Sequence, residues 1–158
     1  MNVVETLLML KGKQLRGLRS QQTVMYPSGD FLELNTMPTL LHWQEGDEGE
    51  QGFIRLDCTE NDNYNNVFTV RNQEHPYPLS FDIEDGLYIN VSGSVLAINE
   101  TIKDVKLFTF DHVPDSVSGV ALYTEKGVLF IAATMFFMEC TFAEKLVARD
   151  TGLKEVAL

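Results

Sequence analysis

The chain has 158 residues, with 12 Lys and Arg against 23 Asp and Glu and a formal net charge of −11 at pH 7. This length predicts a single globular domain over residues 1–158, whose core needs neither disulfides nor a structural metal. Apolar residues make up 44% and charged residues 22%, which excludes the composition of a disordered chain. A strongly acidic protein repels phosphates, so nucleic acid is not expected as a partner.

The N-terminal stretch argues against export. Its basic residues, from Lys11 onward, follow the apolar positions, whereas a secretory signal places them first. The longest other apolar run, residues 128–138, is far shorter than the roughly 20 residues of a membrane-spanning helix. We therefore expect a cytoplasmic protein without a membrane contact, and reduced thiols at Cys58 and Cys140.

The first elements in chain order are a helix and a hairpin. Val3, Val4, Leu7 and Leu8 are spaced as one face of a short helix, which Gly12 ends. Residues 23–26 and 31–34 have strand composition, and the Pro-Ser-Gly-Asp sequence between them is typical of a turn.

The middle of the chain predicts four more strands. Residues 53–59 and 67–70 are apolar-rich and are joined by the polar segment 61–66. Residues 79–83 and 87–91 alternate between apolar and polar side chains around Asp-Gly, which is a strong hairpin signal. Residues 95–98 are expected to extend this second arm past a bend at Gly93.

The last third predicts strands at residues 105–110 and 117–123, followed by the run 128–138. That run is apolar on both faces, which indicates a central strand covered on both sides. Residues 142–149 have helix-forming composition. The prediction is a mainly β (α+β) fold: an antiparallel sheet or two-layer sandwich of about seven to nine strands with a short helix near each terminus.

Few residues suggest catalysis. Asp111, His112 and Asp115 bring two carboxylates and an imidazole together, as a metal-assisted hydrolase would require, although a turn at a strand end is the favoured interpretation.

The remaining candidates are the carboxylates Asp82, Glu84 and Asp85 around the hairpin turn, and a calcium-like alternation of Asp57, Thr59, Asn61 and Asn63. The first set fits a solvated strand face. The second lacks the obligatory Gly and the bidentate Glu of a calcium loop. No nucleotide motif is present and no cofactor is predicted.

The acidic excess is the clearest functional signal. Seven acids crowd one stretch of sequence next to Trp43, and this set forms the predicted partner-binding site: Trp43, Glu45, Asp47, Glu48, Glu50, Asp57, Glu60 and Asp62. Aromatic anchors combined with steering charges are typical of protein interfaces, and Tyr64, Tyr77 and Tyr88 are further candidate anchors. The alternative is that Trp43 belongs to the core and the acids only solubilise a loop.

An acidic domain of this size without catalytic groups resembles, in general profile, the bacterial immunity proteins and antitoxins that neutralise cationic nuclease toxins. The resemblance implies a non-enzymatic inhibitor whose carboxylates imitate nucleic acid phosphates and bind a basic, toxin-like protein. The alternatives are a small-molecule or peptide-binding β module and, with less support, the metal-assisted hydrolase. The sequence does not indicate an oligomeric state.

Overall fold

The computed structural model describes residues 2–20, 22–28, 31–75, 79–82, 87–89, 94–135, 137–148 and 152–158. These residues contain one helix, α1 (Val3–Leu8), which begins with a capping box between Asn2 and Glu5. In chain order the strands are β1 (Gln14–Arg19), β2 (Gln22–Ser28), β3 (Phe31–Met37), β4 (Thr39–Gln44), β5 (Gln51–Glu60), β6 (Asn66–Gln73), β7 (Leu79–Asp82), β8 (Leu87–Ile89), β9 (Ser94–Thr101), β10 (Asp104–Thr109), β11 (Gly119–Tyr123), β12 (Val128–Ala133), β13 (Met138–Ala143) and β14 (Lys154–Glu155). Within this part of the chain, no helix combines the length and the apolar character that crossing a membrane requires.

Two antiparallel sheets form the body of the fold. The small sheet has the order β6-β5-β4-β1-β9, and the large sheet has the order β14-β10-β11-β12-β13-β3-β2. Strands β7 and β8 form a separate two-stranded pair. The predicted mainly β, antiparallel architecture is confirmed.

The core lies between the two sheets. Inward-pointing residues of both sheets meet here, so that Leu41 and Ile54 of the small sheet share one apolar cluster with Leu107, Val120 and Ile131 of the large sheet. The helix contacts β6 and β10 and buries Leu7 in the same cluster, which closes one end of the sandwich. The fold is therefore a two-layer sandwich with the helix α1 packed against one end.

The segment between β10 and β11 ties the two sheets together. Val117 accepts a hydrogen bond at its carbonyl oxygen from the Phe68 N–H of β6, with 2.8 Å between N and O. The Ser118 hydroxyl donates to the Asn66 carbonyl (2.6 Å), while the Ser118 N–H donates to the Phe108 carbonyl (2.8 Å). These bonds satisfy two backbone groups on the outer edge of β6, the Phe68 N–H and the Asn66 carbonyl, and fix the loops at this end of the sandwich.

The predicted central strand is confirmed for Val128–Ala133. Leu129 and Ile131 face the main core, whereas Val128 and Phe130 face a second apolar cluster on the outer side of the large sheet. The strand ends earlier than the apolar run, because Met135 lies exposed in the turn to β13. Phe136 lies outside the described residues.

The predicted C-terminal helix is wrong for residues 142–148. Phe142 and Ala143 belong to β13, and residues 144–148 form no helix. Leu146 and Leu153 instead pack against the outer cluster of the large sheet, and the Thr141 hydroxyl donates to the Val147 carbonyl (2.9 Å). Tertiary burial of these side chains outweighs a weak helical propensity.

Both predicted hairpins pair as expected. Strand β2 lies against β3, with Pro27 inside β2 opposite Leu32; an edge strand tolerates this proline. Strand β7 lies against β8, with Leu79 opposite Ile89. Pro27 and Ser28, predicted in the turn, belong to β2 instead, whereas Gly29, Asp30, the turn of the second hairpin and Gly93 lie outside the described residues. Strand β9 does not pair with β8 but joins the small sheet beside β1.

Candidate functional site

The acidic turn, which carries Glu45, Asp47, Glu48 and Glu50, connects β4 to β5 at one end of the sandwich. Its stem closes with a hydrogen bond from the Glu45 N–H to the Glu50 carbonyl (2.7 Å). The Gln44 side-chain amide donates to two carbonyls inside the turn, those of Asp47 and Gly49, at 3.2 Å each. The backbone of the acidic turn is therefore held by its own stem.

The charges of the acidic turn are only partly compensated. Lys13 of the segment before β1 forms an ion pair with Glu45, and its ammonium also lies 4.9 Å from the centre of the Trp43 ring. Asp47, Glu48 and Glu50 are exposed and form no ion pair with any cation in the described part of the chain. Three carboxylates thus face solvent without a neighbouring countercharge.

Trp43 belongs to the core rather than to the surface. Its side chain is 9% exposed and contributes to the cluster between the sheets. The ring covers Gly52 on β5, where a Cβ atom would lie 2.5 Å from the ring carbon Cζ2. The Trp43 Nε1 has no hydrogen-bond partner among the described residues. The alternative interpretation of Trp43 as a core residue therefore fits the structure, and its ring is not an exposed anchor.

The other predicted acids lie away from the acidic turn. Strand β5 has 10 residues, and at about 3.3 Å per residue it separates its two ends by about 30 Å. Glu60 and Asp62 are exposed at the far end, while Asp57 pairs with Arg55 at 2.9 Å between Oδ2 and Nε. The stretch from Glu45 to Asp62 is contiguous in sequence but does not form one acidic surface.

The far end is organised by asparagines. The side-chain amides of Asn61, Asn63 and Asn65 all donate to Asp111 Oδ2, at 2.9, 3.3 and 2.9 Å. These bonds, led by those from Asn65 and Asn61, lower the pKa of Asp111 to about 2. The Asn61 Oδ1 in turn accepts the backbone N–H groups of Asn63 and Asn65, both at 3.0 Å. Asn61 and Asn63 serve as hydrogen-bond partners within the fold, rather than as the calcium ligands that their spacing suggested.

Tyr64 lies at the apex of this asparagine-rich turn. It adopts a left-handed backbone conformation, with φ of 62°, and its side chain is 83% exposed. Flanking asparagines favour such turns because their side chains bond the local backbone, which is the sequence signal for this geometry. Of the three tyrosines considered as anchors, Tyr64 is exposed; Tyr77 and the side chain of Tyr88 lie outside the described residues.

The hydrolase candidates line a pocket of about 210 Å³ beside the C-terminal segment. His112 and Asp115 belong to its wall, but both oxygens of Asp111 already accept N–H donors, including the Val113 N–H at 3.3 Å. No three His, Cys, Asp or Glu side chains converge as metal ligands within the ranges that the structure describes. The acids Glu84 and Asp85 and the Asp82 side chain lie outside those ranges.

Both cysteines are free, which confirms the prediction of unpaired thiols. Cys140 is fully buried, and burial raises its pKa to about 12. Burial also raises the pKa of the half-buried Cys58. Neither residue is therefore a thiolate at neutral pH, as a cysteine nucleophile would have to be.

The basic residues before and within β1 contact polar side chains of the protein itself. Lys11 pairs with Asp104 (3.6 Å) and Lys13 with Glu45, while Arg16 donates through Nε to the Gln44 side chain (2.8 Å). Lys11, Lys13 and Arg16 are thus all engaged with side chains of the protein itself.

The outer face of the small sheet also carries cations. Arg71 lies directly opposite Arg55, and Leu40 separates Arg55 from Arg19 in the same row across the sheet. Leu40 and Arg55 are 0% and 6% exposed although they point away from the core. The middle of this row is therefore buried, whereas Arg71 on the edge strand β6 is exposed.

Comparison with protein-family models, with curated proteins and with solved structures finds no match to this chain. Its function is therefore inferred from the two loop-bearing ends of the sandwich.

Proposed function

We propose that this chain is a non-enzymatic inhibitor that binds a basic protein through the acidic turn. The observation that carries the proposal is the group of three exposed carboxylates, Asp47, Glu48 and Glu50, on a turn whose backbone is held by the Gln44 side chain. Unpaired charges of one sign attract an oppositely charged partner and increase the rate of encounter. A turn that is already ordered loses little conformational entropy on binding.

The partner expected for such a turn is a protein with a cationic substrate-binding site. Carboxylates spaced along a turn imitate the phosphates of a nucleic acid, so the turn would occupy the site that a nuclease-type toxin uses for its substrate. This is the mode of action of an immunity protein or antitoxin of the bacterial type. We assign it to the cytoplasm, where the free thiols of Cys58 and Cys140 are stable.

The experiment is a pull-down with the tagged chain from the lysate of its source cell, washed with increasing salt and analysed by mass spectrometry. We expect a basic protein to be retained at near-equal stoichiometry and released as salt screens exposed charges. The purified partner is then assayed for its own activity, such as nucleic acid cleavage, with and without the chain. Inhibition at equimolar ratio supports the proposal, whereas binding without inhibition contradicts it.

Two double variants test the surface. Glu48→Lys with Glu50→Lys alters the acidic turn, and Glu60→Lys with Asp62→Lys makes the same change in net charge about 30 Å away, at the other end of β5. We expect the first variant to weaken binding by about a hundredfold or more, as loss of steering and contact charges requires, and the second to weaken it less than tenfold. Equal losses would show that net charge, rather than the acidic turn, determines the affinity.

A further inference from the structure

Two loops meet at the end of the sandwich that lies away from the acidic turn. One is the asparagine-rich turn between β5 and β6, and the other connects β10 to β11. Asp111 Oδ2 accepts the side-chain amides of Asn63 (3.3 Å) and Asn65 (2.9 Å), which flank the apex of the first loop. Asp111 Oδ1 accepts the Val113 N–H of the second loop (3.3 Å). The apex residue Tyr64 and Val113 thus lie on loops that meet at a single carboxylate.

Both loops present apolar side chains to solvent. Five large apolar side chains are exposed among the residues that the structure describes, and two of the five are Tyr64, at 83%, and Val113, at 47%. Pro114, next to Val113, is exposed as well. Single exposed apolar residues are common on proteins, whereas several of them on adjoining loops indicate a contact surface. We call Tyr64, Val113 and Pro114 the tyrosine surface.

The loops that carry the tyrosine surface are fixed by the fold itself. The Asn61 side-chain amide donates to Asp111 Oδ2 (2.9 Å) and to the Ser116 hydroxyl (3.0 Å), so it bridges the two loops. The Tyr64 N–H donates to the Asn61 carbonyl (3.0 Å), which closes the first loop. Loops that are already ordered lose little conformational entropy when a partner binds.

The charges around the tyrosine surface have one sign. Residues 60–66 and 111–116 contain four carboxylates and no Lys or Arg. Three of these carboxylates, on Glu60, Asp62 and Asp115, are exposed and form no ion pair with a cation in the described segments. An apolar partner would remove water from these carboxylates without compensating their charge, whereas a cationic partner compensates it. The surroundings of the tyrosine surface therefore favour a cationic partner.

The exposed ring favours arginine among the possible cations. A guanidinium group is planar and weakly hydrated, so it stacks on an aromatic face, and its methylene stem covers apolar surface. A lysine ammonium is strongly hydrated and gains less from the ring. A metal ion is not indicated, because no three His, Cys, Asp or Glu side chains converge as ligands in the part of the chain that the structure describes.

We propose that the tyrosine surface binds an arginine-bearing segment of a basic protein. The guanidinium group stacks on the Tyr64 ring, the arginine stem contacts Val113 and Pro114, and the exposed carboxylates of the two loops compensate the charge. This interface lies at the opposite end of β5 from the acidic turn and does not depend on the proposed inhibitor function.

The test is an NMR titration of the intact chain at physiological ionic strength, with ¹³C in the tyrosine rings and ¹⁵N in the backbone. The probe is a short capped peptide of alternating Gly and Arg. In two matched peptides, Lys or the neutral analogue citrulline replaces Arg. We expect the Arg peptide to shift the Tyr64 ring signals and the Val113 amide signal more than the Asp47 and Glu48 amide signals of the acidic turn. The Lys peptide should bind about threefold and the citrulline peptide about tenfold more weakly.

Four variants test the parts of the tyrosine surface. Tyr64→Ala removes an exposed ring, so it should leave the fold intact and weaken binding of the Arg peptide by about fivefold or more. Tyr64→Phe keeps the ring and should bind within about twofold of the parent chain. Asp62→Asn removes one charge from the same loop and should weaken binding by about two- to fivefold. Asp47→Asn makes the same change about 30 Å away, beyond the screening length, and should alter the affinity by less than about twofold.

Several results would overturn the proposal. One is an Arg peptide that does not bind, or that shifts the acidic turn as strongly as the tyrosine surface. Another is a Lys or citrulline peptide that binds as tightly as the Arg peptide, and a third is a Tyr64→Ala variant that keeps the parent affinity. If the chain alone sediments as a dimer and Tyr64→Ala makes it a monomer, the surface belongs to a second copy instead. None of these outcomes depends on whether an inhibited partner of the acidic turn exists.

Discussion

Gly17 lies at a bulge in β1 where a side chain has no room. A Cβ atom at this position would lie 1.9 Å from the Leu96 carbonyl oxygen of β9, and the residue has a φ of 151°. We expect Gly17→Ala to lower the free energy of unfolding by about 2–4 kcal/mol, because backbone atoms of β9 would have to move. Urea unfolding followed by circular dichroism measures this loss.

Gly12 is the control for this substitution. It also has a positive φ, of 87°, but no atom lies within 4 Å of its Cβ position. Gly12→Ala should therefore lower the free energy of unfolding by only about 1–2 kcal/mol, because a side chain at positive φ is strained even where there is room for it. Similar losses at the two positions would show that β9 does not restrict Gly17.

Asp111 should make stability depend on pH in the acid range. Its folded-state pKa of about 2 lies below the ordinary value of 3.8, so its carboxylate stabilises the folded protein above pH 3.8. That stabilisation is lost as the pH falls toward 2 and the carboxylate is protonated. Asp111→Ala should therefore unfold at lower urea than the parent at pH 7, and the difference should narrow below pH 3.8.

Asp62→Ala provides the comparison. Asp62 is an exposed carboxylate in the asparagine-rich turn, and the amides of Asn61, Asn63 and Asn65 donate to Asp111 instead. Its urea midpoint at pH 7 should match that of the parent. A gap between Asp111→Ala and the parent that stays constant from pH 7 to pH 3 would mean that the carboxylate charge is not what stabilises the turn.

Strand β12 depends on apolar contacts on both of its faces. On the outer face, the Phe130 ring meets Phe108 edge-on, with 5.4 Å between ring centres, and lies above Gly119. Phe130→Ala should lower the free energy of unfolding by about 3–5 kcal/mol, because it leaves a cavity beneath the C-terminal segment. Chemical denaturation gives the value.

Tyr64→Ala removes an aromatic ring of similar size from an exposed position and should change the unfolding free energy by at most about 0.5 kcal/mol. If Phe130→Ala were equally mild, the outer cluster would not contribute to the stability of the large sheet.

Sequence patterns predicted β12, although it is apolar on both faces, but missed β1 and β4. Strand β1 was not predicted because the bulge at Gly17 places its buried residues, Leu15 and Leu18, three positions apart instead of two. Strand β4 was missed because Leu40 and Leu41 are both buried, one on each face, so no alternation is visible. Helical propensity near residue 146 failed because packing on the large sheet decided the conformation.

At the scale of the whole molecule, the path of the chain determines which acids act together. The sequence predicts a polar loop over residues 44–52, and residues 45–50 do form the connection between β4 and β5, while Gln44, Gln51 and Gly52 belong to the strands. The sequence cannot show that β5 then carries Glu60 and Asp62 to the opposite end of the sandwich. The contact of Asn61, Asn63 and Asn65 with Asp111 also joins residues that are more than forty positions apart. Long-range pairing of this kind has no local sequence signal.

The net charge of −11 should make the folded protein more stable in salt. Five ion pairs occur among the described residues, and even if all 12 Lys and Arg side chains of the chain were paired, 11 of its 23 acids would lack a basic partner, so repulsion between carboxylates exceeds compensation. Raising NaCl from about 10 mM to 300 mM shortens the screening length from roughly 30 Å to below 8 Å and should raise the Tm by about 2–4 °C. Differential scanning calorimetry measures the shift, with sodium sulfate avoided because it stabilises proteins by exclusion. A Tm that falls with NaCl would mean that the five ion pairs contribute more to folding than the carboxylate repulsion removes.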